Sequence, residues 1–178
     1  MAKKLILRRL CQHDEASFFE GLKAFDGEDL DWYTFDWKEG MDFSGLLSRL
    51  DKNERGVNLP SGFVPNSMLY GFVEDKIVGR LHIRHKLNDN LRFRGGHLGY
   101  AVAPSSRGQG HATQMLREGL EECQKIGLQR VLITCGDKNR PSWKVIENVG
   151  GRDYTLSIDL DARENLRRYW IDLSSCLR

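Results

Sequence analysis

Nothing in this 178-residue sequence is long and apolar enough to cross a bilayer. Its longest unbroken apolar run is residues 100–103, where a span needs about 20 residues. An excess of one charge is missing too: 27 basic residues face 25 acidic ones, a net charge of +2. That leaves no electrostatic footprint for a nucleic-acid binder. Proline is scarce, with four in all, and there is neither a low-complexity stretch nor an internal repeat. No linker is visible, so residues 1–178 are expected to form one domain. Lys3 and Lys4 are followed by only Leu5, Ile6 and Leu7 before Arg8 and Arg9, so no secretory leader is expected. The four cysteines, Cys11, Cys123, Cys135 and Cys176, form no CxxC pair. Zinc and dithiol redox motifs are thereby excluded, and no metal is expected. Their wide spacing is not that of a disulfide framework, which fits a reducing, cytoplasmic compartment.

What is present is a globular balance of 40% hydrophobic and 29% charged residues. Residues 4–10 read as a first strand. Phe18, Leu22 and Phe25 fall at helical spacing within residues 15–25, and Leu46, Leu47 and Leu50 mark a second helix over 43–52. Residues 55–65, with two glycines and two prolines, read as loop. Strands are predicted over 68–74 and 77–85, joined by Asp75-Lys76, and the second alternates Leu81 and Ile83 against Arg80, His82 and Arg84. Residues 86–96 should turn, and 97–102 form the next strand before Pro104. The clearest helix follows, with Ala112, Met115, Leu116, Gly119, Leu120 and Cys123 on one face and Gly127 as its stop. A buried strand over 131–135, a short helix over 143–149 and strands over 154–160 and 166–173 complete the chain. The order β-α-α-β-β-β-α-β-α-β-β implies an α/β mixed sheet with helices packed on it.

Chemistry concentrates in residues 99–113, where a strand ends at Pro104, a polar turn holds Gly108 and Gly110, and a long amphipathic helix begins. Glycines let a backbone approach a phosphate closely. The helix start presents unpaired N–H groups and the positive end of the dipole. Arg107 adds a cation. No Gly-Lys-Ser/Thr follows, so this is not a P-loop, and Thr113 stands where GxGxxG needs its third glycine. The turn reads as a phosphate cradle of another kind.

Arg107-x-x-Gly110-x-Ala112 resembles the Q/R-x-x-G-x-G/A signature of the GNAT superfamily of N-acetyltransferases. A second family element, Asn-x-x-Ser/Ala opening a helix that ends near Gly-Phe, is matched by Asn139, Ser142 and Gly150-Gly151, with glycine in place of phenylalanine. Residues 81–88, 95–97 and 168–171 look like a bacterial GNAT subgroup without an assigned substrate. The resemblance implies the GNAT fold and direct transfer of acetyl from acetyl-CoA to a primary amine. It implies that Tyr100, Ala101 and Val102 run along the pantetheine arm. It further implies that Arg107, Gly108, Gln109, Gly110, His111, Ala112 and Thr113 hold the pyrophosphate, and that Asn139 and Ser142 lie against the cofactor.

That chemistry needs a base for the amine, a donor for the thioester oxygen and an acid for the thiolate. The family's usual acid is a tyrosine seven residues beyond the asparagine, but this chain has Ile146 there. Tyr100, Tyr154 or water is left to replace it. No carboxylate lies within residues 90–103 to act as base. His97 and His85, at neighbouring strand ends, are the candidates, since histidine titrates near pH ~6.5. The segment 26–43, with seven acidic residues and five aromatics, is a candidate wall for a cationic small-molecule amine.

Blander readings stand beside these. Gly108 and Gly110 suit any turn, Asn139 and Ser142 suit a helix cap, and each histidine suits a structural hydrogen bond. The acidic, aromatic segment also suits a solvated loop with its rings in the core. Functionally, an acyl-CoA-binding sensor or interaction module without turnover and a protein or peptide N-terminal acetyltransferase are the alternatives. The assembly expected is a monomer or a homodimer.

Overall fold

The structure, a computed structural model, describes residues 4–34, 36–159 and 164–175. Alternation decides its architecture. On β2 (Asn66–Val73) and β3 (Lys76–Arg84), side chains leave both faces of the sheet into apolar surroundings, and nearly every residue is buried. Leu81 and Ile83 pack with Leu98, Leu116, Leu120 and Cys123 on one side. Met68, Tyr70 and Phe72 pack with Phe18, Phe25, Tyr33 and Phe43 on the other.

Seven strands form one sheet in the order β1-β2-β3-β4-β5-β7-β6. The remaining strands are β1 (Leu5–Arg8), β4 (Leu98–Val102), β5 (Arg130–Gly136), β6 (Tyr154–Asp159) and β7 (Glu164–Asp172). All neighbours run antiparallel except β4 and β5. Helices α1 (Glu15–Ala24), α2 (Asp31–Thr34) and α3 (Phe43–Arg55) cover the aromatic face. The short α4 (Asp89–Phe93) lies between β3 and β4, and α5 (His111–Lys125) and α6 (Arg140–Asn148) cover the opposite face. Gly119 lets α5 settle on β3, since a Cβ there would collide with Leu81.

The mixed sheet and all seven strands agree with the sequence pattern. Local features differ, the short helix α2 among them. The hairpin turns at Glu74-Asp75, so Val73 faces Lys76, one residue earlier than expected. A helical turn, α4, occupies part of the expected loop because the Asn88 side chain accepts the Leu91 N–H at 2.9 Å. Helix α6 starts at Arg140 because Asn139 caps it and proline is tolerated in a first turn. Cys123 and Cys135 are buried, as expected; Cys176 and Leu160 lie outside the described residues.

Candidate active site

The site begins where the sheet comes apart. Strands β4 and β5 are paired only at Leu98 and Ile133. Beyond that point a cleft of about 1010 Å³ opens between them. Along β4, Ala103 N–H bonds Val78 C=O at 2.9 Å and Arg84 N–H bonds His97 C=O at 2.7 Å. In an antiparallel ladder every second residue turns its backbone groups to the partner. Residues 99, 101 and 103 therefore serve β3, as does the His97 carbonyl, while the His97 N–H bonds Leu132 C=O at 2.7 Å; the backbone groups of Tyr100 and Val102 point into the gap. Arg107 Nε takes one of them, the Val102 carbonyl, at 3.1 Å.

At one end of the cleft, Gly108 and Gly110 have φ of +75° and +84°, a left-handed backbone that favours glycine. A Cβ on either would meet nothing within 4 Å, so space for a ligand lies directly above the peptide planes. Gly110 caps α5 with no side-chain hydrogen bond, so the N–H groups of His111, Ala112 and Thr113 keep their capacity for an anion. Arg107 Nη2 sits 3.0 Å from Glu28 Oε2. The cradle fits a diphosphate: amides and a helix dipole face open space, with the Arg107 guanidinium at its edge.

The middle of the cleft is walled by Tyr100, Cys135 and Ser142. The Tyr100 hydroxyl donates to the Ser142 carbonyl at 2.9 Å and lies 2.9 Å from its Oγ. Burial pushes the Tyr100 phenol up, so it stays protonated at neutral pH, and raises the Cys135 thiol to about 11. Asn139 accepts the Ser142 N–H at 3.2 Å while also lining the cleft, so capping and ligand contact coincide. The far end is polar and lies on the aromatic-core face of the sheet. Arg84, Arg94, Thr134 and Glu164 line it, with Arg94 bonded to Asp159.

Of the sequence-derived site residues, Tyr100, Ala101, Val102, Arg107, Gly108, Gly110, His111, Ala112, Thr113, Asn139 and Ser142 all line this cleft. Gln109 does not; its amide turns back to Ser105 C=O at 3.4 Å. Neither His85 nor His97 reaches it. His97 Nδ1 accepts the Leu132 N–H at 2.9 Å, and burial, then Arg92 and Arg84, hold it down to about 4. His85 Nε2 is 2.8 Å from Ser67 Oγ, and burial lowers it as well. Both imidazoles are engaged in structural bonds. Tyr154 is also outside the cleft, with the Arg167 guanidinium 4.5 Å above its ring. Ile146 is wholly buried in the core. The Tyr33 ring is in the core too, against Phe18 and Phe25, and a half-buried Trp37 packs on Phe19 at its edge; only Glu28 and Asp29 of that segment's acids line the cleft. Glu164 is a cleft carboxylate that no local motif signals.

Residues 4–152 match the family model of the acetyltransferase (GNAT) domain. The chain belongs to the GNAT acetyltransferase family. It is an acetyl-CoA-dependent N-acetyltransferase, moving acetyl from acetyl-CoA to an amine. No curated protein matches the sequence. Among solved structures, RimJ of Mycobacterium smegmatis in complex with CoA-disulfide is 24% identical, with 98% of this chain and 84% of that one covered at a TM-score of 0.66. The ribosomal-protein-S5-alanine acetyltransferase of Vibrio fischeri is 12% identical, with 98% and 96% covered and a TM-score of 0.65. Spermidine N-acetyltransferase of Vibrio cholerae, in complex with CoA and spermine, is 16% identical, with 98% of each chain covered at 0.61. These likenesses are of fold. Among the described residues no group of three or more His, Cys, Asp or Glu gathers to hold a metal ion, and no helix is long and apolar enough to cross a membrane.

Proposed function

We propose that the acceptor is a small-molecule amine, cationic in water, that meets the thioester where β4 and β5 part. The observation that carries this reading is the cleft itself. It joins the phosphate cradle at the start of α5 to a polar end holding Glu164, through a single gap in the sheet. A volume of about 1010 Å³ has to take the pantetheine arm as well as the acceptor, which favours a small amine over a folded protein. Glu28 and Asp29 supply negative charge at the rim. The free thiols of Cys11, Cys123 and Cys135 support a reducing, cytoplasmic setting.

In this reading the amides of His111, Ala112 and Thr113, with Gly108, Gly110 and Arg107, hold the pyrophosphate. The backbone of Tyr100, Ala101 and Val102 aligns the pantetheine arm, and Asn139 and Ser142 border it. The amine nitrogen attacks the thioester carbon and the carbon–sulfur bond breaks. An N–H of β4, that of Tyr100 or Val102, answers the charge growing on the oxygen. Glu164, directly or through one water, takes the ammonium proton, and the Tyr100 hydroxyl gives one to the departing thiolate. Holding both reactants in one gap supplies much of the rate.

The test is thiol release from acetyl-CoA with a panel of small amines. Release that requires an amine supports the reading; tight coenzyme A binding without release from any amine overturns it in favour of a sensor. Glu164→Gln should lower kcat by about 10²-fold or more while calorimetry finds coenzyme A binding intact. A kcat within twofold of the parent removes Glu164 from the mechanism.

A further inference from the structure

Of the three arginines that line the cleft, Arg94 pairs with Asp159 and Glu164 and Arg107 with Glu28. Arg84 lines the cleft, yet no described carboxylate lies within ion-pair distance of it. Its Nη1 donates to the carbonyls of Gly95 and Gly96 at 3.1 and 3.2 Å. Those two bonds orient the guanidinium and do not neutralise it. Among the described residues its Nε and Nη2 make no hydrogen bond. Burial, with the charge of Arg80 on the same face of the strand, lowers the group to about 10, so it remains a cation at neutral pH in a setting that disfavours its charge.

The neighbours say what kind of anion fits. Gly95 lies against the guanidinium and donates its N–H to Thr134 Oγ1 at 2.8 Å. Two residues along β5, on the same face, a Cβ on Gly136 would collide with the Glu164 carboxylate. Thr134 and Gly136 stand roughly 7 Å apart as i and i+2 of a strand. A cation with no carboxylate partner among the described residues and a carboxylate therefore flank one short stretch of cleft wall. Arginine's free Nε–Nη2 edge is shaped for the two oxygens of a carboxylate.

We propose that the acceptor is an amino-acid-type molecule, in which Arg84 binds a carboxylate while the amine a few bonds away faces Glu164. This deepens the small-amine reading and rests on it. Glu28 and Asp29 line the cleft apart from this pair, with Glu28 held by Arg107.

The experiment uses the full chain and matched acceptors: amino acids, their carboxamides, and the corresponding decarboxylated amines, each followed by thiol release. The amino acids should win in kcat/KM by roughly 10-fold or more, the scale of one charge-assisted hydrogen-bond pair. The carboxamide's amine loses its proton more easily, so this preference runs against intrinsic reactivity. Arg84→Gln should bring the acid-to-amide ratio near one, and Arg84→Lys should keep part of it. A preference for carboxamides or plain amines sinks the proposal alone and leaves the small-amine reading standing. So does an Arg84→Gln loss that is equal for all three classes, which would put Arg84 in a common or structural role. Bound coenzyme A with no turnover on any acceptor overturns both.

Discussion

Replacing Gly110 with alanine separates two things the phosphate turn does. Gly110 has φ of +84° and caps α5. An alanine in that left-handed region costs about 1–2 kcal/mol of fold stability. For a chain of this size that lowers Tm by roughly 2–4 °C per kcal/mol. The new methyl meets no protein atom within 4 Å, so sterics inside the fold add nothing. If the open space holds a diphosphate, the methyl stands between the ligand and the amides. Losing even one hydrogen bond to a charged group costs about 1.5–3 kcal/mol, a factor of 10 to 100 in Kd. Gly127 is the control: its φ is +88°, a Cβ there also meets nothing within 4 Å, and it lies at the other end of α5, away from the cleft. Gly127→Ala should lose comparable Tm and bind coenzyme A as the parent does. Calorimetry with coenzyme A and thermal melts of both variants decide it. Unchanged affinity in Gly110→Ala, or equal loss in both variants, refutes the cradle.

Other outcomes follow from the same geometry. Tyr100→Phe should lower kcat by about 10²-fold but stability by only about 1 kcal/mol, since one hydroxyl's bonds to Ser142 are lost; steady-state rates and urea melts read the two, and a retained kcat means water protonates the thiolate. His97 should control acid stability rather than turnover. Unfolded, it binds a proton near pH 6.5; folded, burial and then Arg92 and Arg84 hold it to about 4. Between those values the unfolded chain carries the extra proton, so stability present above pH 6.5 drains as pH falls towards 4, by up to about 3 kcal/mol. His97→Asn, which keeps an acceptor for Leu132 N–H and cannot ionise, should flatten urea-midpoint curves across that window; an unflattened curve rejects the assignment.

The strands were legible because alternation and apolar runs are local. The phosphate turn was legible for the same reason: Arg107, Gly108, Gly110 and the start of α5 are consecutive, and their chemistry needs only neighbours in sequence. The polar end was not. Arg84, Thr134 and Glu164 come from β3, β5 and β7 and meet only through the strand order β3-β4-β5-β7, which no spacing records. The four-residue α2 and five-residue α4 are too short to show a helical period. His85 and His97 illustrate a different blindness. Each lies one residue outside its strand, and Ser67 Oγ and the Leu132 N–H, which engage one ring nitrogen of each, are 18 and 35 residues away. A histidine's availability depends on partners that the linear sequence does not bring near.

The isoleucine at the family's acid position looks like a lost function until the helix is viewed from β4. Ile146 and Ser142 are i+4 and i on α6, stacked on one face. Ile146 turns wholly into the core, while Ser142, one turn nearer the helix start, meets the Tyr100 hydroxyl through both its carbonyl and its Oγ. A phenol thus stands against the same helix face, sent across the cleft from the strand. Swapping the residues tests whether position or origin matters: Ile146→Tyr in a Tyr100→Phe background should restore part of kcat if only the phenol's place counts. The double variant must also bury a hydroxyl among core side chains, costing about 1–3 kcal/mol without a partner. Recovery of kcat despite that lost stability would tie the rate to the phenol. A stable double variant as slow as Tyr100→Phe alone would argue that the strand tyrosine acts through Ser142 and the alignment of α6, and not by delivering a proton.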